Sequence, residues 1–534
     1  INIITKEPMR NSGMLSHTIT GIGDGDVFDN STALNASLVT DDQRAGLYIF
    51  GQNRHRSAYD HDGDGYSEIP KLHGQTIGFR SFLKTTTYSK LTFEYHHMEE
   101  FRRGGDLLNR PPHEANVAEQ TEHSINGGGL KFDYFSPNEN HRFNVFASAQ
   151  HINRDSYYGP GDRDPLDAYG NTTDLNWMAG SQYVYSFGKC IFMPSDLTAG
   201  IEFNQDKLED NMWGYNRTVD QKVNIGSAFL QNEWKNDHWG FLIGGRLDKH
   251  NLINHVIFSP RANLRYNPTE NINLRFSYSS GFRAPQAFDE DLHVENVGGN
   301  VAMVELADNL KEERSQSLSA SADIYHRFGA FQVNFLVEGF YTKLSDVFAL
   351  TDGEVVDGIL TRTRHNASGA QVMGLTLEGK MAYLNKIQVQ AGVTLQQSHY
   401  SKPHIWNKEA PAVKKMMRTP NTYGYFTATY TPIKPLSIAL SGTYTGSMLV
   451  PHEPVPGFLE NPITVNTKDF FDIGLKAAYD FKLYKSMNLQ LNAGIQNIFN
   501  AYQDDFDKGA DRDSGYIYGP SLPRSFFAGV KISY

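Results

Sequence analysis

A two-residue hydrophobic period constrains this chain more than any other feature. From Asn271 the sequence reads N-I-N-L-R-F-S-Y-S-S-G. Ile272, Leu274, Phe276 and Tyr278 fall on one face; Asn273, Arg275, Ser277 and Ser279 fall on the other. Leu91, Phe93 and Tyr95 alternate with Thr92, Glu94 and His96. Leu489, Leu491, Ala493 and Ile495 alternate with Asn488, Gln490, Asn492 and Gln496. Successive side chains of a β-strand point to opposite faces, so each segment reads as a strand with one apolar and one wet face. The pattern recurs along all 534 residues, with no long helical period between its repeats. No stretch of about 18 apolar residues exists, so the sequence contains no helical membrane span.

Such strands fit two architectures. A soluble sandwich or propeller buries the apolar face in a core, whereas a membrane barrel turns it to lipid and keeps the wet face inside. Connection lengths discriminate between them. Short connections include Thr40–Arg44, Ser136–His141, Asn267–Asn271, Thr431–Lys434 and Phe481–Lys485. Long ones include Arg54–Lys71, Arg102–Gln120, Arg154–Thr172, Gly281–Glu313, Ser401–Met417, Ser447–Thr467 and Asn500–Leu522. Short turns at one end and long loops at the other describe a bacterial outer-membrane barrel, as does an even strand number. A propeller repeat of about 40–50 residues is absent. At the C-terminus Phe526, Ala528, Val530, Ile532 and Tyr534 alternate with Ser525, Phe527, Gly529, Lys531 and Ser533, as expected of a last strand that closes on the first. The expected fold is all-β: a 22-stranded antiparallel transmembrane β-barrel with short periplasmic turns and long extracellular loops, in the bacterial outer membrane.

Composition narrows the function. Lys and Arg number 49 against 60 Asp and Glu, a net charge of −11, which argues against nucleic-acid binding. Cys190 is the single cysteine, which excludes an intramolecular disulfide or a multi-cysteine metal site. The sequence has no G-x-S-x-G elbow, no H-E-x-x-H and no Walker loop, so no enzyme is read.

Several short segments carry a family resemblance. Ile1-Asn2-Ile3-Ile4-Thr5-Lys6 resembles the end of the plug of TonB-dependent outer-membrane transporters. Gly281-Phe282-Arg283-Ala284-Pro285 resembles the FRAP box before the seventh extracellular loop. Ala307-Asp308-Asn309-Leu310-Lys311-Glu312-Glu313 resembles the NP-[DN]-L-KPE box after it, departing at Ala307, Asp308 and Glu312. Asn497-Ile498-Phe499-Asn500 with Tyr502 resembles the penultimate-strand motif, and Tyr518-Gly519-Pro520 with Pro523-Arg524 the entry to the last strand. The chain is most similar to the barrel portion of cobalamin- and haem-type receptors of Bacteroidetes. The resemblance implies 22 strands and active uptake of a scarce ligand too large for porins, energised by TonB, ExbB and ExbD. It divides the chain into residues 1–10, the end of the plug and its link, and 11–534, the barrel. The plug and TonB box, expected before Ile1, are missing from this chain, which reads as part of a longer protein. The implied partners also include outer-membrane lipid and lipopolysaccharide, and a surface lipoprotein lid.

The second outer loop reads Asp60-His61-Asp62-Gly63-Asp64-Gly65-Tyr66-Ser67-Glu68. Asp60, Asp62 and Asp64 at alternate positions, with Gly65 sixth, copy the first half of an EF-hand loop. The twelfth position is Lys71, so Glu68 is the expected closing carboxylate and calcium the expected cofactor. An acidic solvated turn is the alternative. Asp24, Asp26 and Asp29 form a weaker acidic cluster. Cobalamin transporters have a similar calcium site in this loop, which makes cobalamin (vitamin B12) or a related corrinoid the favoured ligand. Haem transporters use a seventh-loop histidine, here His293, which can serve as an axial ligand, although Asp289, Glu290, Asp291 and Glu295 around it favour a solvated loop histidine; a haem or ferric-siderophore receptor is therefore the alternative. A passive pore or adhesin is the alternative from another class. Aromatics deep in long loops are candidate ligand contacts: Tyr157, Tyr158, Trp213, Tyr215, Trp406, Tyr516 and Tyr518. Each could instead pack its own loop or belong to a membrane girdle.

Overall fold

A computed structural model describes residues 7–23, 25–160, 168–292, 295–297, 300–356 and 359–534. Its wall is a closed antiparallel barrel of 22 strands. The first strand, Ser12–Ile22, pairs with Val27–Val39 on one side and with the last strand, Ser525–Ser533, on the other. The seam is sealed at its periplasmic end by Gly13 N–H donating to the Tyr534 carbonyl (3.1 Å) and Tyr534 N–H to that of Gly13 (2.9 Å). Closure satisfies every wall strand on both sides, the condition for a sheet to stand in hydrocarbon. The expected fold class is therefore found.

The alternation sorts the two faces. Ile77, Ile201, Leu230 and Ile243 all point outward and are 61%, 62%, 57% and 63% exposed, an apolar skin that lipid must cover. Aromatic pairs mark its borders. At the short-turn end Phe192 stacks on Trp234 (5.6 Å) and Trp239 on Tyr266 (4.2 Å). At the loop end Trp177 lies 5.2 Å from Phe203. On the inner face several large rings stand directly opposite glycines of the next strand: Phe50 opposite Gly78, Phe146 opposite Gly180, Phe229 opposite Gly200 and Phe527 opposite Gly494. A Cβ on Gly200 would lie 2.3 Å from the Phe229 ring, so glycine lets the ring lie flat against the wall.

The wall strands run further outward than their hydrophobic period. Arg154–Thr172, expected as loop, instead holds the ends of the strands His141–Pro160 and Tyr169–Cys190. Above the lipid both faces are wet, so Asn153, Arg154, Asp155 and Ser156 carry no alternation although they pair regularly with 170–173. Gly281–Glu313 also holds more structure than expected. Glu295–Val297 and Asn300–Leu306 join Ile359–Asn366 and Phe348–Val356 in a four-stranded sheet above the rim, with one parallel pairing, Val301 to Leu306 against Ile359 to Arg364. Ile1–Lys6, Asp24 and His293 lie outside the described residues. Ahead of the first strand, the Glu7 carboxylate is 3.1 Å from the Lys90 ammonium.

Candidate functional site

The second and eleventh outer loops meet in a polar site of the crown. Tyr59 and Ile69 exchange backbone hydrogen bonds (2.9 and 3.1 Å), which pinches residues 60–68 into a compact loop. Gly63 and Gly65 adopt φ of +75° and +93°, left-handed turns that glycine permits without strain. Their N–H groups donate to the two Asp60 oxygens at 2.7 and 2.8 Å. His61 N–H donates to Glu68 Oε2 at 2.6 Å. Oxygens of Asp60, Asp62 and Glu68 thereby converge within 4.8 Å of one another.

Asp64 takes a different partner. Arg512, from the eleventh loop, donates to Asp64 Oδ2 and to Glu68 Oε1 (2.8 Å), and its guanidinium lies 4.8 Å from the Tyr66 ring centre. Gly509 N–H also donates to Asp64 (2.8 Å). Lys508 stands 3.5 Å from Asp62 Oδ2, a buried oxygen that accepts no hydrogen bond. Burial pushes the Glu68 carboxyl above its ordinary range. Burial also acts to raise Asp64, but the hydrogen bonds from Gly509 and Tyr66 and the charge of Arg512 outweigh it and hold Asp64 low. Four carboxylates face two cations here, so the cluster retains about two negative charges at neutral pH.

The eleventh loop is itself tied to its other neighbour. Asn497 and Asn500 adopt φ of +49° and +52°, and Asn497 Nδ2 donates to the Ala501 and Leu522 carbonyls, both at 3.0 Å. Asp505 accepts from Tyr516 (2.9 Å) and Tyr518 (2.6 Å). His452, from the tenth loop, stacks on Tyr516 at 3.8 Å and meets Asp507 at 2.9 Å. Between the second, third and eleventh loops a cleft of about 300 Å³ remains, lined by Tyr66, Arg102, Glu119, Phe506, Arg512 and Tyr516.

A second buried network pins the seventh loop. Thr172 Oγ1 donates to Asp210 (2.6 Å), and Arg154 and Arg217 approach the same carboxylate at 3.7 and 3.5 Å. Arg217 also donates to the Asp291 carbonyl, while the Asp291 carboxylate pairs with Arg364. All five charged groups are buried. Arg283 of the FRAP-like segment lies 3.8 Å from the Phe288 ring centre.

The structure brings Asp60, Asp62 and Glu68 together and turns Asp64 toward Arg512. Of the aromatic candidates, Tyr157, Tyr158 and Tyr215 are buried in one cluster with Met212 and Met303, where Tyr215 donates to the Tyr158 carbonyl at 2.6 Å. Tyr516 and Tyr518 are buried with Val450 and Phe470. These five rings serve as packing groups here, because their faces are occupied by other loops. Trp406 is half-buried, whereas Trp213 is 65% exposed. Sequence reasoning missed Arg102, Phe506, Lys508 and Arg512. The signal available for the last two was charge complementarity between an acidic second loop and a basic pair in the eleventh.

The profile of the family described as TonB dependent receptor-like, beta-barrel, matches residues 15–498. No curated protein sequence matches the chain. Among solved structures it is similar to the siderophore receptor PirA from Acinetobacter baumannii, with a TM-score of 0.77 and 15% identity over 100% of this chain and 82% of that one. It is similar to a mutant ferric enterobactin receptor from Pseudomonas aeruginosa in complex with enterobactin (TM-score 0.76, 15% identity, 100% and 83% covered). It is also similar to the ferric-catecholate import receptor Fiu from K12 E. coli (TM-score 0.72, 13% identity, 100% and 83% covered). At these identities the likeness is one of fold.

Proposed function

Since this chain belongs to the TonB-dependent receptor β-barrel family, a family of outer-membrane transport receptors and not of enzymes, we propose that its cargo is a ferric siderophore. The observation that carries this reading is the cleft between the second, third and eleventh loops. Two guanidiniums, Arg102 and Arg512, border it beside the rings of Tyr66 and Phe506, among the carboxylates of Glu68, Glu119, Asp507 and Asp513. Planar cations next to aromatic surfaces suit an anionic aromatic chelate, since charge-assisted hydrogen bonds and ring contacts then act on one ligand. Arg102 donates to Glu100 (2.7 Å) and Arg512 to Glu68 (2.8 Å), so an entering anion competes with carboxylates already in place. The siderophore receptors of similar fold support the same direction.

The acidic half-loop favours a second reading. Its three convergent carboxylates, buried Asp62 oxygen and net negative charge fit calcium, a hard cation that takes oxygen ligands. Asp60, Asp62 and Glu68 would hold it, and its charge would fix the second loop beside the cleft. A calcium-ordered second loop favours cobalamin as the cargo of this second reading.

Equilibrium binding to the full-length receptor separates the two. Ferric enterobactin is expected to bind saturably, and Arg102→Ala should weaken it about tenfold, the loss of one charge-assisted hydrogen bond. Cyanocobalamin binding that requires calcium, with no binding of the ferric chelate, would overturn the siderophore reading. Hemin binding lost in His293→Ala would overturn it in favour of haem.

A further inference from the structure

Four outer loops meet beside the crown cleft, at a junction where buried carboxylates outnumber cations. His452 and Glu453 come from the tenth loop, Asp352 and Arg362 from the eighth, Asn407 from the ninth, and Asp507 and Asp513 from the eleventh. Glu453 accepts from Arg362 (3.2 Å) and from Asn407 (2.8 Å), and Arg362 also donates to Asp352 (3.1 Å). The Glu453 N–H donates to Asp513 (2.9 Å), whose other oxygen accepts from the Gly515 N–H (2.8 Å). Asp507 meets His452 at 2.9 Å and accepts from the Asp513 N–H at 3.1 Å. His452, Asp507 and Asp513 are buried, and the side chains of Glu453, Arg362 and Asp352 are at most 16% exposed.

The other charged groups nearby are committed elsewhere. Arg512 and Lys508 turn to the second loop, and Arg418 donates to the Gly515 and Ile517 carbonyls. Asp505 accepts from the hydroxyls of Tyr516 and Tyr518. Among the described residues, no arginine or lysine pairs with Asp507 or Asp513. With every carboxyl of the junction ionised and His452 neutral, four negative charges therefore face one positive. With Glu453 and Asp513 protonated and His452 cationic, two face two. Burial pushes the Glu453 and Asp513 carboxyls above their ordinary range. It does so against the pull of Arg362 and Asn407 on the first and of two backbone N–H groups on the second.

We propose that this junction is a proton-operated latch on the crown. Protonated, it holds the eighth, ninth, tenth and eleventh loops together; deprotonated, it lets the tenth loop part from the eleventh. Carboxyls raised by burial stabilise the closed form fully below their ordinary values, 4.5 for Glu453 and 3.8 for Asp513, and lose that contribution as pH rises through the elevated ones. An imidazole loses its charge between about pH 5 and 8, which removes the attraction between His452 and Asp507 over the same rise. Uncompensated charge in a buried site is costly, so the junction yields where its excess of negative charge appears. Asp507, Asp513 and Tyr516 line the cleft, and the His452 ring covers Tyr516 at 3.8 Å, so parting the two loops alters the cleft wall. Control of cargo binding by the latch rests on the cleft being the cargo site; the latch itself does not.

Electron–electron distance measurement between two spin labels tests this in the cargo-free, full-length receptor. The labels are attached through Glu460→Cys in the tenth loop and Asp511→Cys in the eleventh, both exposed positions, in a Cys190→Ser background. A narrow distance distribution is expected at about pH 5.5, and a broader and longer one at about pH 8.5. Glu453→Gln removes one charge and keeps the shape of the side chain, so it should retain the narrow distribution at the higher pH. A distribution unchanged over that range, in a receptor that migrates as a folded barrel, would overturn the latch. Opening of Glu453→Gln at the same pH as the parent would assign the response to other groups and overturn it as well. Because the distances are read without cargo, failure of ferric enterobactin to bind would count against the cargo reading alone.

Discussion

The barrel wall and the crown of outer loops solve opposite problems. In the wall, charge is kept off the outer face and large apolar side chains stand exposed, because their solvent is hydrocarbon. In the crown, Arg154, Asp210, Arg217, Asp291 and Arg364 are buried and aromatic rings are packed out of reach of solvent. The wall is held by a continuous local ladder, each strand bonded to the next in sequence. The crown is held by a few contacts between distant segments, such as Asp64 with Arg512, 448 residues apart. A ladder tolerates the loss of one side chain; a buried charge network does not, since each member compensates the others.

That contrast can be broken by mutation. The largest effect is expected from Asp210→Ala, which leaves Arg154 and Arg217 buried without their shared carboxylate and should cost the crown about 3–5 kcal/mol. Limited proteolysis should then cut the outer loops while the barrel keeps its folded migration. Next comes a pair of neighbours on opposite faces of one strand. Leu230→Arg, on the lipid face, should destabilise the wall by about 2–4 kcal/mol, whereas Gln231→Arg, facing the lumen, should stay within about 1 kcal/mol. Chemical unfolding in detergent or lipid reads the difference, and equal effects would contradict the assignment of faces. Gly200→Ala should cost about 1–3 kcal/mol, because its Cβ meets the Phe229 ring and the Ser181 carbonyl. The same unfolding assay should show Phe229→Ala relieving part of that cost.

The smallest effect is a pH dependence of the contact between the second and eleventh loops. Asp64 is held below its ordinary value of 3.8 despite burial, so its share of stability is complete above about pH 4 and is lost as pH falls through the depressed value. Glu68 is raised by burial and works in the other direction. Its contribution is complete below its ordinary 4.5 and declines as pH rises through the elevated value. Hydrogen exchange at residues 60–68 should therefore be slowest in a window between the two, and calcium, if bound, should extend that protection upward in pH.

The same contrast governs how much the sequence disclosed. Alternation such as Leu274 and Phe276 against Arg275 and Ser277 exposed the wall and its faces, because one face must be apolar. Strand ends near Asn153–Ser156 were invisible, because above the lipid neither face must be. The acidic half-loop was legible as a constellation, and its convergence on Asp60, Asp62 and Glu68 follows from turns that Gly63 and Gly65 announce. Its pairing with Arg512 was not legible, since no local pattern reports a contact across the whole chain. Loop aromatics were misleading for a related reason. Tyr157 and Tyr516 have the composition of a ligand surface and the environment of a core.

Hydrogen exchange of the full-length receptor with and without ferric enterobactin tests the central claim, that the crown cleft and not the wall receives the cargo. Protection is expected in residues 60–68, 100–105 and 503–517, with the membrane-spanning strands unchanged. Saturable binding that leaves those three segments unprotected would contradict it.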